Sequence, residues 1–309
     1  MYRFFSSSSI IFIFFIILLL GKRVINMLQI TEDKVSSWLP VRDENTYKNK
    51  MGHVLCVGGN ANMGGAIILS ASAALYAGAG LVTVASAPEN VHALHARIPE
   101  AMFTDMYELN TLSEYIQKAD VIVLGPGLGL SDRSLTVFKQ VLNTINKDQW
   151  LIIDGDAITH FVNEKETLQI QSKNIVFTPH LGEWQRMTNI KPPADHIKEN
   201  QTQKNNLQAT VVLKKGRSEI YIEDEIWQNI AGNPSMATGG MGDILTGIIA
   251  SFLGQFDNKK QAILSALYVH SATANKLAKT HYTTLPTTII NELPIFIKSL
   301  NKQEKNLLQ

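Results

Sequence analysis

The sequence runs to 309 residues, 45% hydrophobic and 18% charged, with a formal net charge of +1. That composition supplies apolar material for a sizeable core and excludes a disordered chain, and the lack of a basic surplus excludes nucleic acid as the main partner. Cys56 is the one cysteine, so no internal disulfide can form, and a buried, inert thiol in a reducing, cytoplasmic setting is expected.

Residues 1–26 form a hydrophobic extension in which Ile10 to Leu20 is an unbroken run of eleven apolar residues, followed by Lys22-Arg23. A membrane span needs about 20 residues. Only Arg3 supplies a charge before the run, and no small-x-small cleavage site follows it clearly. Three readings stay open: a start codon assigned too early, with translation beginning at Met27; a signal; or an anchor. Residues 27–309 read as a single domain, with no repeat or low-complexity linker dividing them.

From residue 53 onward short apolar runs alternate with helical patterns. Strands are expected at His53–Val57, Leu81–Ala85, Val121–Leu124, Leu151–Asp154, Ile175–Phe177 and Thr210–Leu213. Helices are expected at Ala66–Ala79, Asp132–Asn146 and Ile197–Gln208. Wholly apolar strands separated by helices predict a mostly parallel sheet covered on both faces, a three-layer α/β/α arrangement. Glu219–Ile222 and Ile226–Ile230 read as a hairpin across Glu223-Asp224-Glu225, and the remainder as helices over Asp243–Leu253, Lys259–Lys279 and Thr287–Leu300. His92 and His95 fall on an exposed helix without metal-site spacing, and Trp150, Trp184 and Trp227 read as packing residues.

The glycine-rich and polar segments fall at the carboxyl ends of these strands, the edge where open parallel sheets bind ligands. They are Gly58-Gly59, Gly125-Pro126-Gly127, Asp154 and Thr178-Pro179-His180. Gly58 to Gly65 lacks the Gly-Lys-Ser/Thr ending of a phosphate loop, and Gly125 to Gly129 lacks a third glycine at the spacing of a dinucleotide fingerprint. Phosphate handling therefore falls to Gly239-Gly240-Met241-Gly242-Asp243, a loop without bulky side chains entering a helix N-terminus. Asp243 reads as that helix's cap or, beside a bound phosphate, as a base that takes a proton from an attacking hydroxyl.

Gly232-Asn233-Pro234-Ser235-Met236-Ala237-Thr238-Gly239-Gly240-Met241-Gly242-Asp243 resembles the signature of the ADP-dependent (S)-NAD(P)H-hydrate dehydratases, which have a ribokinase-like fold. Residues 48–83, with Gly58-Gly59-Asn60-Ala61-Asn62-Met63-Gly64-Gly65-Ala66, then Leu124 to Gly129, Asp154 to Ala157 and Thr178 to Glu183, follow in that family's order. The resemblance covers roughly residues 30 to 300. It implies Asp243 as catalytic base and hydrate contact, with Ala66, Gly127 and His180 as further hydrate contacts. It implies nucleotide contacts at Lys214, Lys215, Gly216, Arg217, Ser218, Gly239, Gly240 and Gly242. Lys215 departs from the pattern, standing where the family usually has glycine.

The resemblance also implies ADP as phosphoryl-donor co-substrate, Mg²⁺ as cofactor, a homo-oligomer, and a separate chain for hydrate epimerisation. Asp154 and Glu183 are candidate carboxylates for Mg²⁺, with Asp156 competing, so the metal ligands stay open. Two other functions share the Gly-Gly-x-Gly-Asp segment: a ribokinase-like kinase of a vitamin-type alcohol, and a non-catalytic nucleotide sensor.

Overall fold

A computed structural model of the chain describes residues 27–165, 168, 170–191 and 196–301. The apolar run at 10–20 lies outside these residues. Among the described residues no helix is long and apolar enough to cross a membrane.

In chain order the elements are β1 (Met27–Ile30), α1 (Glu32–Trp38), β2 (His53–Val57), α2 (Gly64–Tyr76), β3 (Leu81–Ser86), α3 (Val91–Arg97), β4 (Met102–Asp105), α4 (Leu109–Lys118), β5 (Val121–Leu124), α5 (Asp132–Thr144), β6 (Trp150–Ile153) and α6 (Asp156–Glu164). Then come β7 (Asn174–Phe177), α7 (Leu181–Thr188), α8 (Ile197–Leu207), β8 (Thr210–Leu213), β9 (Glu219–Ile222), β10 (Glu225–Asn229), α9 (Met241–Gln255), α10 (Lys259–Leu277) and α11 (Pro286–Leu300). The ten strands form one sheet in the order β1-β10-β9-β8-β7-β6-β5-β2-β3-β4. Pairing is parallel throughout except at β9, which runs antiparallel to both β8 and β10.

Alternation along each strand feeds two helical layers. In β2, Val54 and Cys56 face the core beneath α2, α9, α10 and α11, while Leu55 and Val57 face the core beneath α4, α5 and α6. Val121, Val123, Ile152, Val176 and Val212 continue the first face, and Ile122, Leu124, Leu151, Ile153 and Phe177 the second. A third cluster, around Trp184, Tyr221, Val211 and Leu213, carries α7 and α8. Cys56 lies fully buried, and burial pushes its thiol up to about 12, which leaves it inert.

This is the three-layer α/β/α arrangement expected, with boundary corrections. The fourth expected strand ends at Ile153, and Asp154 follows it with its N–H still donating to Leu124 O at 3.1 Å. The helix expected from Asp243 begins at Met241, with Gly240 as N-cap at φ +91°, so Asp243 is the third helical residue and does not cap it. The hairpin turns one residue earlier than expected, at Glu223-Asp224, with Glu223 at φ +50°.

Candidate functional site

The chain leaves β2 toward β3 and β4 on one side, then returns through β5 on the other side of β2. That reversal opens a crevice at the carboxyl ends of β2 and β5. The Gly59 N–H donates to Pro126 O at 2.9 Å and the Asn60 N–H to Gly127 O at 2.6 Å, so the two strand-end turns are stitched together. Asn60 Nδ2 adds a second bond to Gly127 O at 2.9 Å. Gly127 adopts φ +62°, and a β-carbon there would stand 2.4 Å from Met63 O and 3.1 Å from the Ala66 methyl. Positions 66 and 127 therefore meet at the crevice, and the second admits no side chain.

His180 caps α7. Its Nδ1 accepts from the N–H groups of Gly182 (3.0 Å) and Glu183 (3.3 Å), and Glu183 Oε2 accepts from the His180 N–H at 2.8 Å. This is a capping box with imidazole in the hydroxyl's place. With Nδ1 accepting, the ring proton sits on Nε2, 3.5 Å from Glu183 Oε1. The ring remains more than half exposed, and the capping bonds hold it in place.

β7 and β8 run side by side, and the Lys214 N–H donates to Pro179 O at 2.8 Å. Lys214 thereby reaches the carboxylates at the strand ends. Its Nζ donates to Asp154 Oδ1 at 2.6 Å, and the Thr178 hydroxyl donates to the same oxygen at 2.7 Å. Burial opposes the Lys214 charge, but Asp154, Glu183 and Asp243 around it outweigh that and hold its pKa above the ordinary value. A β-carbon on Gly242 would stand 3.1 Å from Lys214 Nζ and 3.6 Å from Asp154 Oδ2, which places the head of α9 against this pair. No side chain caps α9, so its first N–H groups face the crevice with the positive end of the helix dipole.

Asp243 is the titratable group that this geometry perturbs most usefully. Burial pushes its carboxyl up to about 7, the negative charges of Asp154 and Asp156 add to the rise, and Lys214 opposes it. A carboxylate of that strength is matched to accepting a proton near neutral pH.

Beside the α9 head lies a cleft of about 500 Å³, walled by Met236, Met241, Leu245 and Leu267 and floored by Lys214, Lys215, Gly216 and Ser218. Of the nucleotide contacts expected from sequence, Lys214, Lys215, Gly216, Ser218 and Gly242 line this cleft from two chain segments, whereas Arg217, Gly239 and Gly240 do not. Lys215 Nζ bonds Glu219 Oε1 at 2.5 Å, so the lysine that replaces the family's glycine directs its charge back to the sheet.

Among the described residues no three acidic, histidine or cysteine side chains converge on a point suited to a metal ion. Asp154 is engaged by Lys214 and Thr178, and Glu183 by the His180 cap. Asp156 Oδ2 accepts the Gly129 N–H at 2.7 Å. These carboxylates do not form a protein-built magnesium cage. Thr178 and Asn60, which hold Asp154 and Gly127 in place, were not singled out in the sequence, and only their position inside the strand-end motifs marks them.

A family model described as NAD(P)H-hydrate dehydratase matches residues 54–295. The ADP-dependent (S)-NAD(P)H-hydrate dehydratase of Staphylococcus aureus is 45% identical over 262 residues, covering 85% of this chain and 94% of that protein. A ribokinase-like superfamily protein from Enterococcus faecalis superposes with a TM-score of 0.86 at 43% identity, over 89% of this chain and 96% of that one. The ADP/ATP-dependent NAD(P)H-hydrate dehydratase of Bacillus subtilis, co-crystallised with ATP and Mg²⁺, superposes with a TM-score of 0.78 at 27% identity, over 90% and 100% of the two chains.

Proposed function

The chain belongs to the NAD(P)H-hydrate dehydratase family, and from that premise we propose that it restores NAD(P)H from the (6S)-hydrate, with ADP as phosphoryl donor and AMP and phosphate as products. The observation that carries the chemistry is Asp243, a carboxyl pushed up to about 7 in the first turn of α9, under the charges of Asp154, Lys214 and Asp156. The hydrate occupies the crevice at Ala66, Gly127 and His180. ADP lies in the cleft, its phosphates directed at the N–H groups that head α9.

The hydroxyl on carbon 6 of the hydrate is a poor leaving group. Asp243 removes its proton, and the oxygen attacks the β-phosphorus of ADP as the bond to the AMP oxygen breaks. The helix N–H groups and Lys214 meet the charge that develops on the transferred phosphoryl. The ring-nitrogen lone pair then expels the phosphate from carbon 6, and loss of the proton on carbon 5 restores the dihydronicotinamide double bond. His180, oriented by Glu183, presents Nε2–H to the polar part of the hydrate.

Magnesium would enter with the nucleotide, since it binds readily through phosphate oxygens and waters and needs few protein ligands. The reaction takes the S epimer, so an epimerase activity that supplies it from mixed material is the functional link.

The test mixes the protein with NADPH hydrate, Mg²⁺ and ADP and follows absorbance at 340 nm. An ADP-dependent rise that falls about 10²- to 10⁴-fold in Asp243→Asn supports the assignment. No rise from folded protein, with ATP-dependent phosphorylation of a vitamin-type alcohol instead, would replace it with the kinase.

A further inference from the structure

Helix α10 contributes Leu267, His270 and Ser271, recurring at helical spacing, to the lining of the nucleotide cleft. His270 is buried, and its Nε2 has no hydrogen-bond partner among the described residues. Gln201 Oε1 and Ser265 Oγ share that condition, but neither residue lines the cleft. An unpaired buried nitrogen is costly, and native structures rarely keep one without a use. Burial, and then the nearby Lys214 charge, push the imidazole down to about 4, so the ring is neutral at pH 7 and carries one N–H and one lone pair.

Ser271 stands beside it in a defined state. Its Oγ accepts from Asn229 Nδ2 at 2.9 Å, and that amide also donates to Leu267 O at 3.0 Å. Asn229 Oδ1 in turn accepts from the Ala231 N–H at 3.3 Å. With the amide fixed from three directions, Ser271 is an obligate acceptor on one side and keeps its own proton for the cleft. The cleft lining thus includes an acceptor-capable neutral imidazole next to a hydroxyl donor, together with apolar side chains at Met236, Met241, Leu245 and Leu267.

We infer that His270 and Ser271 read the polar edge of the adenine ring, His270 accepting from the exocyclic amino group and Ser271 donating to the adjacent ring nitrogen. The inference rests on the assignment of ADP to this cleft. It gives the buried histidine a ligand partner and explains a neutral ring: a charged imidazole could not accept. The apolar side chains of Met236, Met241, Leu245 and Leu267 in the same lining suit the faces of a purine, and the polar pair suits its edge.

The experiment titrates the protein calorimetrically, without hydrate, with ADP and with the diphosphate of purine riboside, which lacks the amino group. Wild type should prefer ADP about tenfold, the size expected for one well-formed hydrogen bond. In His270→Phe that preference should vanish, and in His270→Gln, which retains an acceptor, most of it should return. Ser271→Ala should weaken both nucleotides alike, since both keep the ring nitrogen, and this arm stands even if His270→Phe fails to fold.

Absence of a preference in wild type, or a preference kept by folded His270→Phe, overturns the inference. So does wild type that binds neither nucleotide. A wild type that discriminates between the nucleotides but turns over no hydrate refutes the dehydratase function and leaves base recognition standing. The two failures therefore read out differently.

Discussion

Asp243 owes its strength as a base to competing influences, and each can be removed separately. Burial is the largest, Asp154 adds to it, and Lys214 opposes both. Because the carboxyl titrates near 7, kcat/KM for the hydrate is expected to climb with pH through that value. Asp154→Asn removes a negative charge and releases Lys214 from its 2.6 Å partner, and both changes favour ionised Asp243. The acidic limb of the pH profile should therefore move to lower pH; a limb that stays in place would mean that Asp243 does not set it.

Stability must respond in the opposite sense to activity. The ordinary value of 3.8 is raised to about 7 in the folded chain, so between these values the folded state holds a proton that the unfolded chain has released. The favourable contribution is complete below about 4 and is lost as pH rises through 7. Asp243→Asn cannot ionise, so it should melt at higher temperature than wild type at pH 8, with the gap closing toward pH 4.5. Equal gaps at the two pH values would show that the carboxyl is not held in a desolvated setting.

Among the elements, α9 decides whether Asp243 arrives where it is needed. It crosses α2 closely: a β-carbon on Gly247 would stand 2.0 Å from Ser70 O, and the Ser70 and Thr246 hydroxyls lie 3.0 Å apart between the helices. Gly247→Ala forces backbone apart from backbone, and overpacking of this kind costs about 1–3 kcal/mol. A lowered urea midpoint at unchanged slope, together with reduced turnover, is the expected result. Unchanged turnover would mean that the helix pivots without moving its head.

How far these elements were legible follows from their length and partners. The central strands were read from sequence because each is apolar on both faces, and α2, α9, α10 and α11 because their patterns run for three turns or more. Strand β1 was missed: Met27–Ile30 is four residues, and its partner β10 lies some two hundred positions away. Strand β4 is an edge with exposed Met102, and α6 is too short to be recognised apart from its packing, whereas the start of α7 was marked by Gly182 and Glu183 after the Pro179 turn. The motifs at the site were visible as an ordered set. The tie between Lys214 and Asp154, the turn of Lys215 toward Glu219 and the orphaned His270 depend on distances across the sheet that spacing along the chain does not encode.

Across the whole molecule, the hydrate crevice and the nucleotide cleft are built from different parts of the sheet, and a buried polar chain joins them. Lys215 Nζ bonds Glu219 Oε1, and the Tyr221 hydroxyl donates to Glu219 Oε2 at 2.7 Å. Asn200 Nδ2 donates to the Tyr221 oxygen at 3.0 Å, and Trp184 Nε1 donates to Asn200 Oδ1 at 2.7 Å. Trp184 lies on α7, the helix that His180 caps, and Lys215 lies on the turn that floors the nucleotide cleft. Donors and acceptors alternate correctly along the chain, and Glu219, Tyr221, Asn200 and Trp184 are all buried. Such a network holds its members firmly when complete and is destabilising when broken. Tyr221→Phe keeps the ring's packing but withdraws a donor from Glu219 and an acceptor from Asn200, so unfolding should become easier by about 1–3 kcal/mol. Because the hydroxyl lies between the two binding regions, the KM values for ADP and for the hydrate should rise together. A variant with a lower melting temperature but both KM values intact would show that the chain supports the fold without coordinating the two sites.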